Sequence, residues 1–151
     1  MIIRRMGYED MEMLTEMGAR MHAEGAYGFL PFNREKVSRH IVGYIEDTET
    51  QCGLVAEKDN ILVGMLGGYI TDYFFCDKKV ACDMFLFVDR KHRGSSAALR
   101  LIQTFRNWAI AHEACEICLS TSTTVNTERT ERFYKKMGFT CVGGIFKQRI
   151  R

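Results

Sequence analysis

Apolar residues recur along this chain in two rhythms, and the rhythms predict its elements. Ile2 to Arg5 is a short run suited to a strand. Asp10 can cap a helix whose apolar stripe is Met13, Leu14, Met17 and Met21, spaced by about three to four. Glycines and Pro31 interrupt the pattern from Gly25 to Phe32, and Asn33 then caps a second helix with Val37, Ile41 and Ile45. Strands are predicted around Cys52 to Glu57 and Ile61 to Tyr73, joined by the turn-forming Lys58, Asp59 and Asn60. A third runs from about Val80 to Val88. A long helix opens near Ser95 or Ser96, with a stripe of Ala98, Leu101, Ile102, Phe105, Trp108 and Ala109. After it come a strand at Glu116 to Ser120 and a helix from Thr127 to Lys136, stopped by Gly138. Strands at Phe139 to Val142 and Ile145 to Arg149 close the chain. The order β-α-α-β-β-β-α-β-α-β-β predicts an α/β fold with a mixed sheet. Val80 to Ser120 should form a right-handed parallel crossover within it.

Bulk properties narrow the function classes. At 151 residues, with one proline, no linker and no internal repeat, the chain reads as one domain spanning 1–151. Apolar residues at 46% and charged residues at 26% describe a globular chain. The net charge of +2 is too small for nucleic acid to be the main partner, although Arg90, Lys91, His92 and Arg93 form a local basic patch. No apolar run reaches the roughly 18 residues of a membrane span, and the N-terminus has no signal-peptide pattern. Most of Cys52, Cys76, Cys82, Cys115, Cys118 and Cys141 lie in apolar stretches, so they read as reduced, buried thiols of a cytoplasmic protein. His112, Cys115 and Cys118 are spaced by threes, but a single Cys-x-x-Cys without a second pair predicts no metal site. The methionine stripe reads as core.

The chemistry-bearing stretch is Phe85-Leu86-Phe87-Val88-Asp89-Arg90-Lys91-His92-Arg93-Gly94-Ser95-Ser96-Ala97-Ala98-Leu99. A buried strand enters a basic, small-residue turn, and the turn opens a long helix. A helix N-terminus presents unpaired N–H groups and a positive dipole end, which favour phosphate. Gly94, Ser95, Ser96, Ala97 and Ala98 are small enough for a diphosphate to approach the backbone. Arg93 adds a forked cation. A serine-capped helix beside a solvated basic cluster would look much the same. Nucleotide P-loops and dinucleotide folds fit poorly, lacking here the Lys-Ser/Thr end and the glycine spacing respectively.

Val88 to Ala98 resembles the acetyl-CoA loop of the GCN5-related N-acetyltransferases, Val-x-Pro-x-Tyr-Arg-Gly-x-Gly-x-Gly/Ala. Val88, Arg93, Gly94 and Ala98 match, while Arg90, His92 and Ser96 stand where proline, tyrosine and glycine are usual. The Arg-Gly-Ser-Ser-Ala-Ala form is similar to phage-encoded members. Downstream, Phe133-Tyr134-Lys135-Lys136-Met137-Gly138-Phe139 resembles the family's Leu/Phe-Tyr-x-x-x-Gly-Phe segment. The two motifs occur in the family's order, with suitable elements between them.

The resemblance implies a transferase using acetyl-CoA as cosubstrate, without metal, to acetylate an amine acceptor on a small molecule or a protein. It implies that the backbone of Leu86, Phe87 and Val88 serves the pantetheine arm, beside a bulge that splays the strand. Tyr134 occupies the usual general-acid position; phenols ionise near pH 10 and so can donate a proton at neutral pH. Asn126 is either a helix cap or a cofactor ligand. Asp83, on the entering strand, and His22 and Glu24, after the first helix, are alternative proton acceptors, the latter two on the substrate side. Tyr27, Phe29, Pro31 and Phe32 could line an acceptor pocket, form a lid or simply pack. A homodimer is open by resemblance, and a non-catalytic acetyl-CoA-binding regulator is the competing function class.

Overall fold

The computed structural model describes residues 1–121 and 124–151. Its strands are β1 (Ile2–Arg5), β2 (Gln51–Lys58), β3 (Ile61–Asp72), β4 (Lys79–Val88) and β5 (Ala114–Cys118). Its helices are α1 (Met11–Glu24), α2 (Arg34–Glu46), α3 (Ala97–Ala111) and α4 (Thr127–Lys136). The strands lie in sequence order in one sheet. The first three contacts are antiparallel, and β4–β5 is parallel with α3 as the crossover.

Both faces of the sheet are covered, which is why β2 and β3 read as nearly continuous apolar runs. On one face Leu54, Ala56, Val63 and Leu66 pack against Leu101, Ile102 and Phe105 of α3 and Tyr134 of α4. On the other, Val55, Leu62, Met65 and Phe87 pack against Leu14 and Met17 of α1 and Ile41 and Tyr44 of α2. The β2–β3 hairpin turns at Asp59 and Asn60, both with positive φ (53° and 60°), a conformation that Asn and Asp tolerate well.

Close packing at one point of β3 depends on two glycines. A Cβ on Gly67 would lie 2.4 Å from the Phe85 ring; on Gly68 it would lie 2.6 Å from the Phe105 ring and 2.8 Å from the Cys82 carbonyl oxygen. The β3–β4 register shifts here: Gly67 faces Phe85 and Gly68 faces Asp83, so Met84 is an extra residue on β4. This is a β-bulge, and it bends β4 where β4 leaves β5.

Several expectations are corrected. Asn33 caps α2 through Lys36 N–H at 2.9 Å. Asp10, however, sits before α1 without capping it. Its carboxylate instead accepts both Arg4 η-nitrogens (2.7 and 2.8 Å) and the Gly7 N–H (2.9 Å), and the Arg4 pairing holds its carboxyl below the usual range. Met13 is 44% exposed because the buried stripe of α1 runs through Leu14 and Met17. β5 starts two residues earlier than expected because Glu113, at φ 64°, turns the chain out of α3. Of the cysteines only Cys52 is buried; Cys76, Cys115, Cys118 and Cys141 are exposed and Cys82 is intermediate.

The two closing strands do not form. Residues 139–151 have no regular structure, with Val142, Phe146 and Ile150 almost fully exposed. Alternating apolar residues make a strand only if an edge accepts their backbone. Here the segment is engaged through its cations. Lys147 lies over the Tyr27 ring (4.2 Å) and donates to its hydroxyl, and Arg149 lies 3.6 Å over Phe29.

Gly68→Ala should lower stability by about 1–3 kcal/mol, because the added methyl meets strand backbone as well as a flexible ring. Urea unfolding measures this, and an unchanged midpoint would mean that the bulge tolerates a wider β3–β4 spacing.

Candidate active site

Parallel pairing between β4 and β5 begins at Lys79–Ala114 and ends at Cys82–Cys118. Beyond Cys82, β4 stays paired with β3 out to Val88, whereas β5 ends at Cys118. Among the described residues no strand pairs with that side of Asp83 to Val88. The outer edge of β4 from Asp83 to Val88 is therefore open to a ligand, except at the Val88 carbonyl, which a side chain occupies.

Two candidate catalytic side chains meet at this opening through one residue of the facing wall. Asp83 Oδ1 accepts the Ser120 N–H at 2.9 Å, and the Tyr134 hydroxyl donates to the Ser120 carbonyl at 3.4 Å. Burial pushes the Asp83 carboxyl up to about 6, and the Ser120 N–H offsets part of that rise. Burial, and then the Asp83 charge, push the Tyr134 phenol well above its ordinary value. The Tyr134 ring is held between Phe133 and Phe139 at 5.9 and 5.8 Å. No pattern in the sequence marks Ser120, whose backbone N–H and carbonyl make both contacts.

At the end of β4, Asp89 to Ser95 forms a chain of tight turns that leads into α3. Gly94 has φ 92°, a conformation costly for any other residue. The first helical turn of α3 is closed by Arg100 N–H to the Ser96 carbonyl at 3.0 Å, so earlier N–H groups lack helical partners. Ala97 N–H reaches Ser95 Oγ at 3.3 Å; Gly94, Ser95 and Ser96 are exposed. A diphosphate fits such a cradle. Arg129 of α4 also points there, with a nitrogen 3.6 Å from where a Cβ on Gly94 would stand. Nothing in the sequence motif marks Arg129; only the docking of α4 brings it to the loop.

Arg93 and Glu24 have a different geometry from the expected one. The Arg93 guanidinium donates to the Val88 carbonyl (2.9 Å) and to Glu24 (2.5 Å), and it lies 5.6 Å from the Phe87 ring centre. It therefore braces the loop from inside. One turn earlier on α1, Arg20 forks onto Asp89 with two contacts of 2.9 Å. These ion pairs fasten α1 to both ends of the turn. His22 is half-buried and packs against Phe32 at 5.4 Å, with its Nε2 out of solvent and without a partner among the described residues. Asn126 adopts left-handed backbone (φ 48°) and makes no side-chain cap bond, which excludes the capping alternative.

On the α2 face, beside the bulge, lies a cavity of about 400 Å³ that the sequence did not suggest. His40, Tyr44, Tyr69 and Met84 contribute to its wall. Burial, then the charges of Tyr69 and Asp83, push the Tyr44 phenol up to about 12.

The pattern of the acetyltransferase (GNAT) family matches residues 18–139, which is most of the chain, and the chain belongs to that family. It is accordingly an acyltransferase by class. Solved structures agree in fold. Ribosomal-protein-alanine N-acetyltransferase from Brucella melitensis biovar Abortus 2308 superposes with TM-score 0.76 at 16% identity, covering 99% of this chain and 100% of its own. Glucosamine-6-phosphate N-acetyltransferase from Arabidopsis thaliana gives 0.78 at 14%, covering 99% and 98%. An aminoglycoside antibiotic 6'-N-acetyltransferase from Acinetobacter haemolyticus gives 0.76 at 15%, covering 100% of both. No curated protein matches the chain in sequence.

The raised Asp83 value has a thermodynamic consequence. The folded chain holds this proton more tightly than the unfolded chain, so the contribution to stability is full below about pH 4 and is lost as pH rises through about 6. Asp83→Asn should therefore stabilise the protein by about 2 kcal/mol at pH 8 and by little at pH 4. Thermal melts at the two pH values measure the difference, and equal effects at both would remove Asp83 from a buried setting.

Proposed function

We propose that the chain transfers the acetyl group of acetyl-CoA to a primary amine of a small molecule or protein, by direct attack of the amine on the thioester. The observation that carries this reading is the opening between β4 and β5, with Asp83 and Tyr134 both bonded to Ser120. Acetyl-CoA, when bound, supplies an activated acyl group on a thiol leaving group.

Leu86, Phe87 and Val88 run along the pantetheine arm as edge residues of the split, offering it the backbone groups that β3 and Arg93 leave open. Gly94, Ser95, Ser96, Ala97 and Ala98 cradle the diphosphate, Gly94, Ser96 and Ala98 through backbone N–H groups and Ser95 and Ala97 by their small size, with Arg129 as the nearby cation. Arg93 serves by fixing the loop, and Asn126 is free to reach the cofactor. Asp83 takes the proton that the attacking amine loses. With a value near 6 it is ionised at neutral pH yet still basic enough for that work. A phenol raised above its ordinary value is a weaker acid than a thiol. Tyr134 therefore acts mainly as a hydrogen-bond donor to the departing thiolate, stabilising its charge as it forms. Glu24 keeps Arg93 in place and lies on the acceptor side. The Arg-Gly-Ser-Ser-Ala-Ala run supports kinship with phage-encoded members, a cytoplasmic setting completes the reading, and a homodimer is compatible with it.

Tyr134→Phe should lower turnover about 100-fold while leaving acetyl-CoA affinity within twofold. Thiol release across a panel of aminoglycosides, polyamines, amino acids and peptides tests the reaction, with calorimetry for binding. Tight binding without thioester cleavage by any amine would favour the non-catalytic regulator instead. The wild-type rate should rise with pH through about 6 as Asp83 ionises, and that limb should vanish in Asp83→Asn.

A further inference from the structure

The Cys115-x-x-Cys118 pair invites a redox or metal reading that the structure redirects. Successive side chains of a strand alternate faces, so Cys115 and Cys118 of β5 point to opposite sides of the sheet. The true neighbour of Cys118 is Cys82, which stands directly beside it in the parallel β4–β5 register. Residues paired in register project to the same face of a sheet, so the two thiols stand side by side, with Tyr69 of β3 in register on the far side of Cys82. Cys82 and Cys118 are also the last paired residues before the sheet splits, and Asp83 follows immediately.

We propose that Cys82 and Cys118 are a site of reversible thiol–disulfide exchange, and that small-molecule disulfides such as oxidised glutathione are its oxidant. Neighbouring strands are spaced by about 4.8 Å, inside the roughly 4.4–6.8 Å that a disulfide spans between Cα atoms. Cys118 is exposed and takes the first step. Its thiolate attacks one glutathione sulfur, forming a mixed disulfide and releasing one glutathione thiolate, which is then protonated. The Cys82 thiolate attacks the Cys118 sulfur and displaces the second glutathione. Two protein thiols are thereby oxidised to one disulfide, and one oxidised glutathione is reduced to two thiols. Burial pushes the Cys118 thiol up, so the exchange is slow at neutral pH and faster in mild alkali. A covalent tie at this point fixes the end of β4–β5 pairing next to Asp83. Disulfides at exposed positions are the readily reversed ones.

The test needs no knowledge of the acceptor. The whole chain is incubated with oxidised glutathione at pH 8.5 and mapped by non-reducing peptide mass spectrometry. The expected product is one internal disulfide between Cys82 and Cys118, with Cys52 still reduced. Tm should rise by roughly 5 °C and return to its starting value with dithiothreitol. Cys82→Ser should stop the reaction at a glutathione adduct on Cys118, with no rise in Tm. Pairing through Cys76, Cys115 or Cys141, or a lasting adduct on Cys118 of the unsubstituted chain, overturns the proposal. The coenzyme A affinity of the unsubstituted chain and of Cys82→Ser, measured alongside, reports separately on the acetyltransferase reading.

Discussion

The divergence of β4 from β5 after Cys82 is the constraint on which the rest of the site depends. A parallel sheet normally saturates its backbone hydrogen bonds, and a strand with one unpaired side in a protein interior is costly. This sheet opens at an inserted residue, Met84, opposite Gly67 and Gly68. Those glycines let Phe85 and Phe105 close on opposite faces of β3 at a distance that a side chain would forbid. The packing that stabilises the sheet and the bulge that opens it are thus the same feature. The opening leaves one edge of β4 without a strand partner among the described residues, an edge suited to an extended amide-bearing chain such as a pantetheine arm.

The opening is held in register by polar ties. Asp83 and Tyr134 grip the two backbone groups of Ser120, so the side chains proposed for catalysis also set the width of the split. Further along, Arg20–Asp89 and Glu24–Arg93 join one face of α1 to the turn that feeds α3. The turn that feeds α3 and the α1 face are therefore held together. Arg93 illustrates how one residue type can serve either of two ends. The forked guanidinium suits phosphate, yet here it meets a carbonyl and a carboxylate.

The residue pattern disclosed the fold to the extent that apolar periodicity and turn chemistry decide it. The buried runs of β2 and β3, the stripe of α3, the Asn33 cap and the Gly138 stop all follow from local rules. Val88 to Ala98 and Phe133 to Phe139 carried the family. What stayed hidden depends on partners distant in sequence. Residues 139–151 alternate like strands, but Tyr27 and Phe29 engage Lys147 and Arg149 instead. Asp10 has the identity of a cap but lies within reach of Arg4. Ser120, Arg129 and the cavity beside Tyr44 and Tyr69 are products of docking, with no local pattern to announce them.

The most direct measurement of the central claim is amide hydrogen exchange, with and without acetyl-CoA. If the unpaired wall of the split and the entrance of α3 are the cofactor site, protection should rise at Phe85 to Val88 and at Gly94 to Leu99. The β2–β3 hairpin should be unchanged. Unaltered exchange in those two stretches at saturating acetyl-CoA, or protection confined to other parts of the sheet, would contradict the account.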